Sequence, residues 1–453
     1  MNKHIFNKLS KLIQLSENKQ HSDKFVQQFF FKENKNLGSH DRRTIKPIYY
    51  KIVKHYFLVS HLIKKCVLIE NPTAEDYIYF VILNEHRMNE LLKSYNISFE
   101  PPISIDFDQT IVPLTEFANE LKVDLTKYQN ESIYTELERL NNSESPEDLS
   151  ILFSMNELFA TKLLDIVTKF NYERNNFFSS FNKEADTSIR ITSNAKIENI
   201  YKELDEAGIE YKQGEFNKQC IKLSNRTNLN LLEMSKSPLF EIQDEGSQLI
   251  SFYMDPMEGD RILDFCAGAG GKTLHIADIT NDRASSIVAT DEDHSRTKEI
   301  FKRNSKFRYR TIWIEKIGII AEKYGRFFDK ILVDAPCSGS GTLRRDPHLK
   351  YKITQKEVTK RAKIQLDILD EVKNYLLRDG EITYSTCSVF TEENENVINE
   401  FLKENDNFEL VPPNKEFLDY FNIPANQVGI GINLYPMNGT DGFFMCKLRK
   451  ISN

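Results

Sequence analysis

Cysteine is scarce in this chain and tryptophan nearly absent, with six Cys and one Trp in 453 residues. The six, Cys66, Cys220, Cys266, Cys337, Cys387 and Cys446, are scattered. None forms a CxxC pair or a Cys/His spacing suited to a metal ion, so no metal is expected. A chain this long and this poor in cysteine needs no disulfide framework. It also lacks any run of about 18 apolar residues, which excludes a membrane-crossing helix. Met1-Asn2-Lys3-His4-Ile5-Phe6 leads into polar residues rather than an apolar signal core, so a cytoplasmic protein is expected. Overall positive charge is missing too, with a net charge of −7. Its distribution is uneven: residues 1–60 carry 12 Lys+Arg against 4 Asp+Glu. A phosphate-facing patch needs only local charge.

The length suits two or three domains. Residues 1–170 read as helical, with apolar residues at helical spacing in Phe25, Phe29, Phe30 and in Ile45, Ile48, Tyr49, Ile52, Val53. A loop is expected at Pro101-Pro102. Ser145 with Pro146 has the form of a helix start. Residues 171–236 read as a small α+β linker domain, with strands at Thr187–Thr192 and Cys220–Leu223 and a helix over Ile197–Ala207. From 237 to 453 strands alternate with helices. The predicted strands are Arg261–Phe265, Ser286–Thr290, Thr311–Ile314, Lys330–Val333 and Glu381–Tyr384, with a late strand at Gly442–Leu448. A long helix over Gln355–Leu377 is expected to close at Arg378-Asp379-Gly380. Such alternation predicts an open, Rossmann-like parallel sheet with ligands at the carboxyl ends of its strands.

One of those ends carries Leu263-Asp264-Phe265-Cys266-Ala267-Gly268-Ala269-Gly270-Gly271-Lys272-Thr273. A phosphate-binding P-loop would need glycine where Cys266 stands. The dinucleotide fingerprint would need glycine at Thr273, which weakens that reading without excluding it. A turn for S-adenosylmethionine needs neither. Small residues at 267–271 admit the amino-acid end of the ligand. Asp291, 20 residues after Gly271, ends the next strand and suits ribose hydroxyls.

Two cysteines follow other strands, in Asp334-Ala335-Pro336-Cys337-Ser338-Gly339-Ser340-Gly341 and in Tyr384-Ser385-Thr386-Cys387-Ser388. Methylation at carbon-5 of a pyrimidine gives two thiols a purpose. Carbon-5 is a poor nucleophile until a thiolate adds to carbon-6 and makes an enamine, and the carbon-5 proton must later be lost so that the thiolate can leave. These motifs, with Glu392-Glu393-Asn394-Glu395, Phe240-Glu241-Ile242-Gln243-Asp244-Glu245-Gly246-Ser247-Gln248 and Gly439-Thr440-Asp441-Gly442-Phe443-Phe444, resemble the Fmu/Sun family of RNA cytosine-carbon-5 methyltransferases over roughly 237–450. Leu37-Gly38-Ser39-His40-Asp41-Arg42-Arg43 is similar to a stretch of the NusB-like RNA-binding domain of bacterial members that modify small-subunit ribosomal RNA. The family commonly has Ala-Pro where this chain has Gly268-Ala269.

The resemblance implies an α/β fold, a Rossmann-like methyltransferase domain preceded by an all-helical NusB-like domain and the linker domain. It implies S-adenosylmethionine held by Cys266, Ala267, Gly268, Ala269, Gly270, Gly271, Lys272, Asp291 and Asp334. It makes Cys387 the nucleophile and gives Cys337 a part in product release. Asp334 is expected at the cytosine edge and Lys272 near the base and the methionine end of the cofactor. The expected substrate is RNA, 16S ribosomal RNA foremost. Transfer RNA is an alternative, as is an RNA-binding assembly or antitermination factor without catalysis. A base in a helix cannot reach Cys387, so the target is unpaired or flipped out. Arg344, Arg345, Arg42 and Arg43 are the leading backbone contacts, with Lys350 and the Lys302–Arg310 stretch as further candidates. Glu315 is a doubtful adenine contact, and Trp313 is expected in the core.

Overall fold

The computed structural model describes residues 3–17, 23–99, 118–119, 123–223, 229, 232 and 237–452. The loop expected at Pro101-Pro102 lies outside them. The chain forms two compact units, Met1–Glu184 with Thr342–Thr354, and Ala185–Gly341 with Gln355–Asn453. Of the segment 171–236 read as a linker domain, residues 171–184 fall in the first unit and 185–236 in the second.

The described part of the first unit is helical, including Ser39–Lys54, Ala74–Ser94, Pro146–Leu152 and Glu157–Phe170. Ser39–Lys54 turns Ile45, Ile48, Tyr49, Ile52 and Val53 inward on one face, as its apolar spacing predicts. Ser145 caps the helix that Pro146 opens, its Oγ accepting from Asp148 N at 3.1 Å. The local positive excess is partly spent inside. Buried Lys51 bonds both oxygens of Glu85 at 2.6 and 2.5 Å, and buried Lys54 donates to the Asn182 carbonyl at 3.1 Å. The stretch Thr342–Thr354, which follows the Cys337 loop in sequence, folds into this unit. Lys350 Nζ donates to the Lys54 carbonyl and, at 2.7 Å, to Asn182 Oδ1, while Tyr351 OH donates to the Val53 carbonyl at 2.6 Å.

The second unit holds two sheets. In the smaller, β1 (Thr187–Ile191), β2 (Tyr211–Gln213), β3 (Cys220–Leu223) and β4 (Phe240–Ile242) lie in the order β2-β3-β1-β4, all antiparallel. The helix Ile197–Glu206 adds Ile200 and Leu204 to their apolar core. The larger sheet contains β5 (Arg261–Asp264), β6 (Ser286–Ala289), β7 (Ile312–Ile314), β8 (Phe328–Asp334), β9 (Leu376–Thr386), β10 (Phe408–Val411), β11 (Ile432–Leu434) and β12 (Phe443–Lys450). Its order is β10-β12-β9-β8-β5-β6-β7, with β11 also pairing β12. The strands β7-β6-β5-β8-β9 are mutually parallel, whereas β12 and β10 run antiparallel. Strand order reverses direction between β5 and β8, the place where such sheets open a crevice for ligands.

Two expectations fail here for physical reasons. The long helix ends at Val372 rather than Leu377, because the apolar Leu376-Leu377 pair begins β9. Arg378-Asp379-Gly380 is therefore no helix cap: Asp379 takes a left-handed φ of 63° where the β8–β9 register slips. Trp313 is 57% exposed on the edge strand β7, since its neighbours Ile312 and Ile314 take the inward face.

The two sheets of the unit are joined by buried charge. Arg190 of β1 meets Asp278 at 2.7 Å. Lys222 of β3 meets Glu245 at 2.6 Å, and Glu245 Oε1 accepts from Phe216 N and Asn217 N, each at 2.8 Å.

Candidate active site

The motifs meet at the carboxyl ends of β5, β6, β8 and β9. After β5 the backbone turns through Gly268 (φ 56°) and Gly270 (φ 81°), and the helix Gly271–Ile279 starts there. A Cβ on Gly270 would lie 2.6 Å from Ile300, so both φ and packing require glycine. Asp291 fastens the turn, its Oδ2 accepting from Gly268 N at 2.8 Å, and Arg303 Nη1 donates to the Ala269 carbonyl at 2.7 Å.

The turn opens on a cavity of about 980 Å³. Cys266, Ala267, Gly268, Ala269, Gly271, Lys272, Asp291, Asp334, Cys337 and Cys387 all line it, and of the predicted cofactor residues only Gly270 stands behind the wall. Lys272 Nζ meets Asp334 Oδ2 at 2.6 Å, and Ser385 Oγ donates to Asp334 Oδ1 at 3.1 Å. Burial opposes the charge of Lys272, but the Asp334 carboxylate outweighs it and raises the ammonium pKa. Lys272 is therefore a fixed cation rather than a base. The Cys266 thiol is pushed far up by burial and has the character of an inert wall.

The thiols arrive from separate strands. Cys337 Sγ and Cys387 Sγ are 3.3 Å apart. Their loops are laced together, with Gly341 N donating to the Cys387 carbonyl at 2.9 Å and Gly442 N to the Gly341 carbonyl at 2.8 Å. The Cys387 sulfur and burial together hold the Cys337 thiol protonated, well above the ordinary thiol range.

Asp264, absent from the predicted site, also lines the cavity. Its Oδ2 accepts from Thr273 Oγ1 at 2.7 Å, and its buried Oδ1 has no hydrogen-bond partner among the described residues. Burial raises this carboxyl to about 7. Because the folded value exceeds the ordinary 3.8, the cost of ionising it is absent below pH 3.8 and complete above about 7. In the cofactor-free protein, wild-type stability should thus fall relative to Asp264→Asn as pH rises through that window. Urea titrations of both proteins at pH 4 and pH 8 check this, and equal differences at the two pH values would refute it.

The arginines distribute differently from expectation. Arg344 is only 7% exposed and donates to the Glu184 carbonyl at 3.0 Å, so it belongs to the interior of the helical unit and offers no phosphate contact. Lys350 is buried in the same way. Arg345 and Arg43 are exposed. Arg42, half-buried, lines a groove of about 480 Å³ in the helical unit with Gln27, Gln28, Phe31, Lys32, Lys46 and Tyr50. Arg42 and Lys46 both lie over the Phe31 ring, and no carboxylate among the described residues lines the groove. Lys306 is turned to the Phe240 carbonyl at 3.1 Å. Glu315 is bound by Lys323 and Tyr324 and does not line the cavity.

The residues fit S-adenosylmethionine on the structure's own terms. A glycine-constrained turn borders the cavity, and the orphaned acceptor of Asp264 suits the ammonium of an amino-acid end. Asp291 keeps its place beside the turn. Fold and site together are those of the Rossmann-like, S-adenosylmethionine-dependent methyltransferases.

Comparison with known proteins narrows the class. Residues 251–449 match the family model for 16S rRNA methyltransferase RsmB/F, a similarity that supports the resemblance to the Fmu/Sun group over this part of the chain. The chain is 34% identical over 248 residues to the probable ribosomal RNA small subunit methyltransferase B of Bacillus subtilis, covering 54% of this chain and 55% of that protein. It is 33% identical over 246 residues to ribosomal RNA small subunit methyltransferase B of an Enterobacter species, covering 51% and 52%. The match thus spans about half the length of these curated relatives. The crystal structure of PH0851 superposes with a TM-score of 0.73 over 99% of both chains at 23% identity, which shows a shared fold.

Proposed function

We propose that this protein methylates carbon-5 of a cytosine in RNA, ribosomal RNA foremost, through a covalent bond between Cys387 and the base. The observation that carries this reading is the pair of thiols 3.3 Å apart in the cavity that the glycine turn borders. A methyltransferase acting by simple transfer to nitrogen or oxygen has no use for two thiols in the same cavity. Carbon-5 of a pyrimidine has a use for both.

In this mechanism Asp334 holds the edge of the cytosine, and Lys272 fixes the Asp334 carboxylate in place. The Cys387 thiolate adds to carbon-6, forming a C–S bond and moving the ring electrons to carbon-5. Bound S-adenosylmethionine supplies the methyl group that carbon-5 takes up. Loss of the carbon-5 proton returns the electron pair to the ring, and the C6–S bond breaks. In the covalent adduct the Cys387 sulfur carries no charge to hold the Cys337 proton, so Cys337 can release that proton to solvent and, as a thiolate, accept the carbon-5 proton or aid elimination. The protein is proposed to work in the cytoplasm, on an unpaired or flipped-out base.

The reading of the helical unit as RNA-binding is supported by the groove around Phe31, which Lys32, Arg42 and Lys46 line with no carboxylate among the described residues. The double change Lys32→Glu, Lys46→Glu is expected to weaken RNA binding by about tenfold or more and to lower the salt slope of log Kd by roughly 2. A salt titration of RNA affinity reads both quantities, and unchanged values would remove the groove from RNA binding.

Methyl transfer to ribosomal and transfer RNA, with sequencing of 5-methylcytosine, tests the whole proposal. Modification of one ribosomal cytosine is the expected result. Modification of transfer RNA alone would move the substrate, and no transfer to either would leave the chain as an RNA-binding factor.

A further inference from the structure

The two thiols sit on different loops, so something must set their separation. Each is followed directly by a serine, Ser338 and Ser388. Both serines lead to one carboxylate. Glu393, fully buried, accepts from Ser338 Oγ at 2.5 Å and from Ser388 Oγ at 2.6 Å through the same oxygen, Oε2. Its other oxygen accepts from Ser338 N at 2.7 Å and from Gln365 Nε2 at 3.3 Å. Gln365 Nε2 also donates to the Pro336 carbonyl at 3.0 Å, next to Cys337.

Glu393 is itself anchored to the second loop. Tyr384 OH donates to the Glu393 carbonyl at 2.6 Å. The next residue, Asn394, accepts from Thr386 Oγ1 at 2.6 Å and donates to the Ser388 carbonyl at 2.9 Å. Both oxygens of this carboxylate thus accept from the cysteine loops, although Glu393 does not line the cavity. A buried carboxylate is costly to keep unless its hydrogen bonds serve the structure around it. Burial raises its pKa, and hydrogen bonds from Ser338 and Ser388 pull the other way.

We propose that Glu393 is a positioning residue that sets the spacing of Cys337 and Cys387 by holding the serine after each. This inference rests on the reading of both thiols as catalytic. Its test has one arm that does not. Diamide takes one hydrogen from each of two neighbouring thiols and joins the sulfurs, so the rate of Cys337–Cys387 disulfide formation, followed by peptide mass mapping, reports their spacing without RNA.

Glu393→Gln is expected to slow that reaction by about tenfold or more, because an ångström of displacement at a reacting pair has effects of up to about a hundredfold. The same variant should lower kcat for methyl transfer by a similar factor and leave KM for S-adenosylmethionine unchanged, since the Glu393 carboxylate bonds the cysteine loops and Gln365 and not the glycine turn or Asp291. A second variant, Ser338→Ala with Ser388→Ala, leaves the carboxylate in place and removes two of its ties. It should reproduce both effects, and adding Glu393→Gln to it should produce little more. A disulfide rate within twofold of wild type in both variants would overturn the proposal. If wild-type protein methylates no RNA, the functional reading fails while the disulfide arm still decides the role of Glu393.

Discussion

Serine in place of Cys387 is expected to abolish methyl transfer, and serine in place of Cys337 to stall the enzyme on its substrate. The two sulfurs are within 3.3 Å of each other, yet they serve opposite halves of the proposed reaction. A serine hydroxyl at 387 is far less acidic than a thiol and does not add to carbon-6, so the enamine never forms. The loss should reach about four orders of magnitude or more, the scale on which removal of a nucleophile acts. Serine at 337 leaves addition and methylation intact and slows release. Its signature is a protein–RNA adduct that survives denaturation and is destroyed by protease. Gel electrophoresis of both variants with RNA distinguishes the roles, and an adduct in Cys387→Ser instead would interchange them.

The largest stability effect is expected at Glu245. Its carboxylate is fully buried, pairs with buried Lys222 at 2.6 Å and accepts from Phe216 N and Asn217 N. Removing it by Glu245→Ala strands an ammonium and the backbone N–H groups of Glu215, Phe216 and Asn217, and among the described residues Lys222 Nζ keeps the Gly439 carbonyl at 3.1 Å. Breaking a buried pair in this way costs about 3–5 kcal/mol. The double change Lys222→Met, Glu245→Met removes both charges and should recover much of that loss, because neither is then stranded. Urea denaturation monitored in both proteins measures the difference. A single mutant as stable as the double would show that the pair contributes nothing.

What could be read from the sequence follows the range of the interactions involved. The glycine turn and both cysteine loops are short motifs whose residues act within a few positions of each other. Ten of the predicted catalytic and cofactor residues line one cavity, from Cys266 to Cys387 along the chain. Strands such as β3 and helices such as Ile197–Glu206 were legible because one face carries their apolar residues. Asp264 offers a local signal too, as an acid at the end of a buried strand beside that turn.

Other features depend on distant partners. Glu393 matters because Ser338 lies against it, 55 residues earlier in the chain. Arg344 and Lys350 carry charge in a stretch next to a reactive loop, which reads as a surface for phosphate. Their carbonyl partners at Glu184 and Lys54 belong to the helical unit and are invisible to local reading. Trp313 was assigned to the core by composition, but an edge strand has a face that nothing covers. The antiparallel course of β12 and β10 was not legible because strand–helix alternation points to parallel strands, and the late strand continues that pattern in sequence while reversing direction in the sheet.

The most direct test traps the bond itself. RNA carrying 5-fluorocytosine has no carbon-5 proton to lose, so the adduct formed after methylation persists. Wild-type protein incubated with S-adenosylmethionine and such RNA, then digested and analysed by mass spectrometry, should yield a nucleotide bound to the peptide containing Cys387. Attachment at Cys337, or methylated product with no bond to either sulfur, would contradict the account.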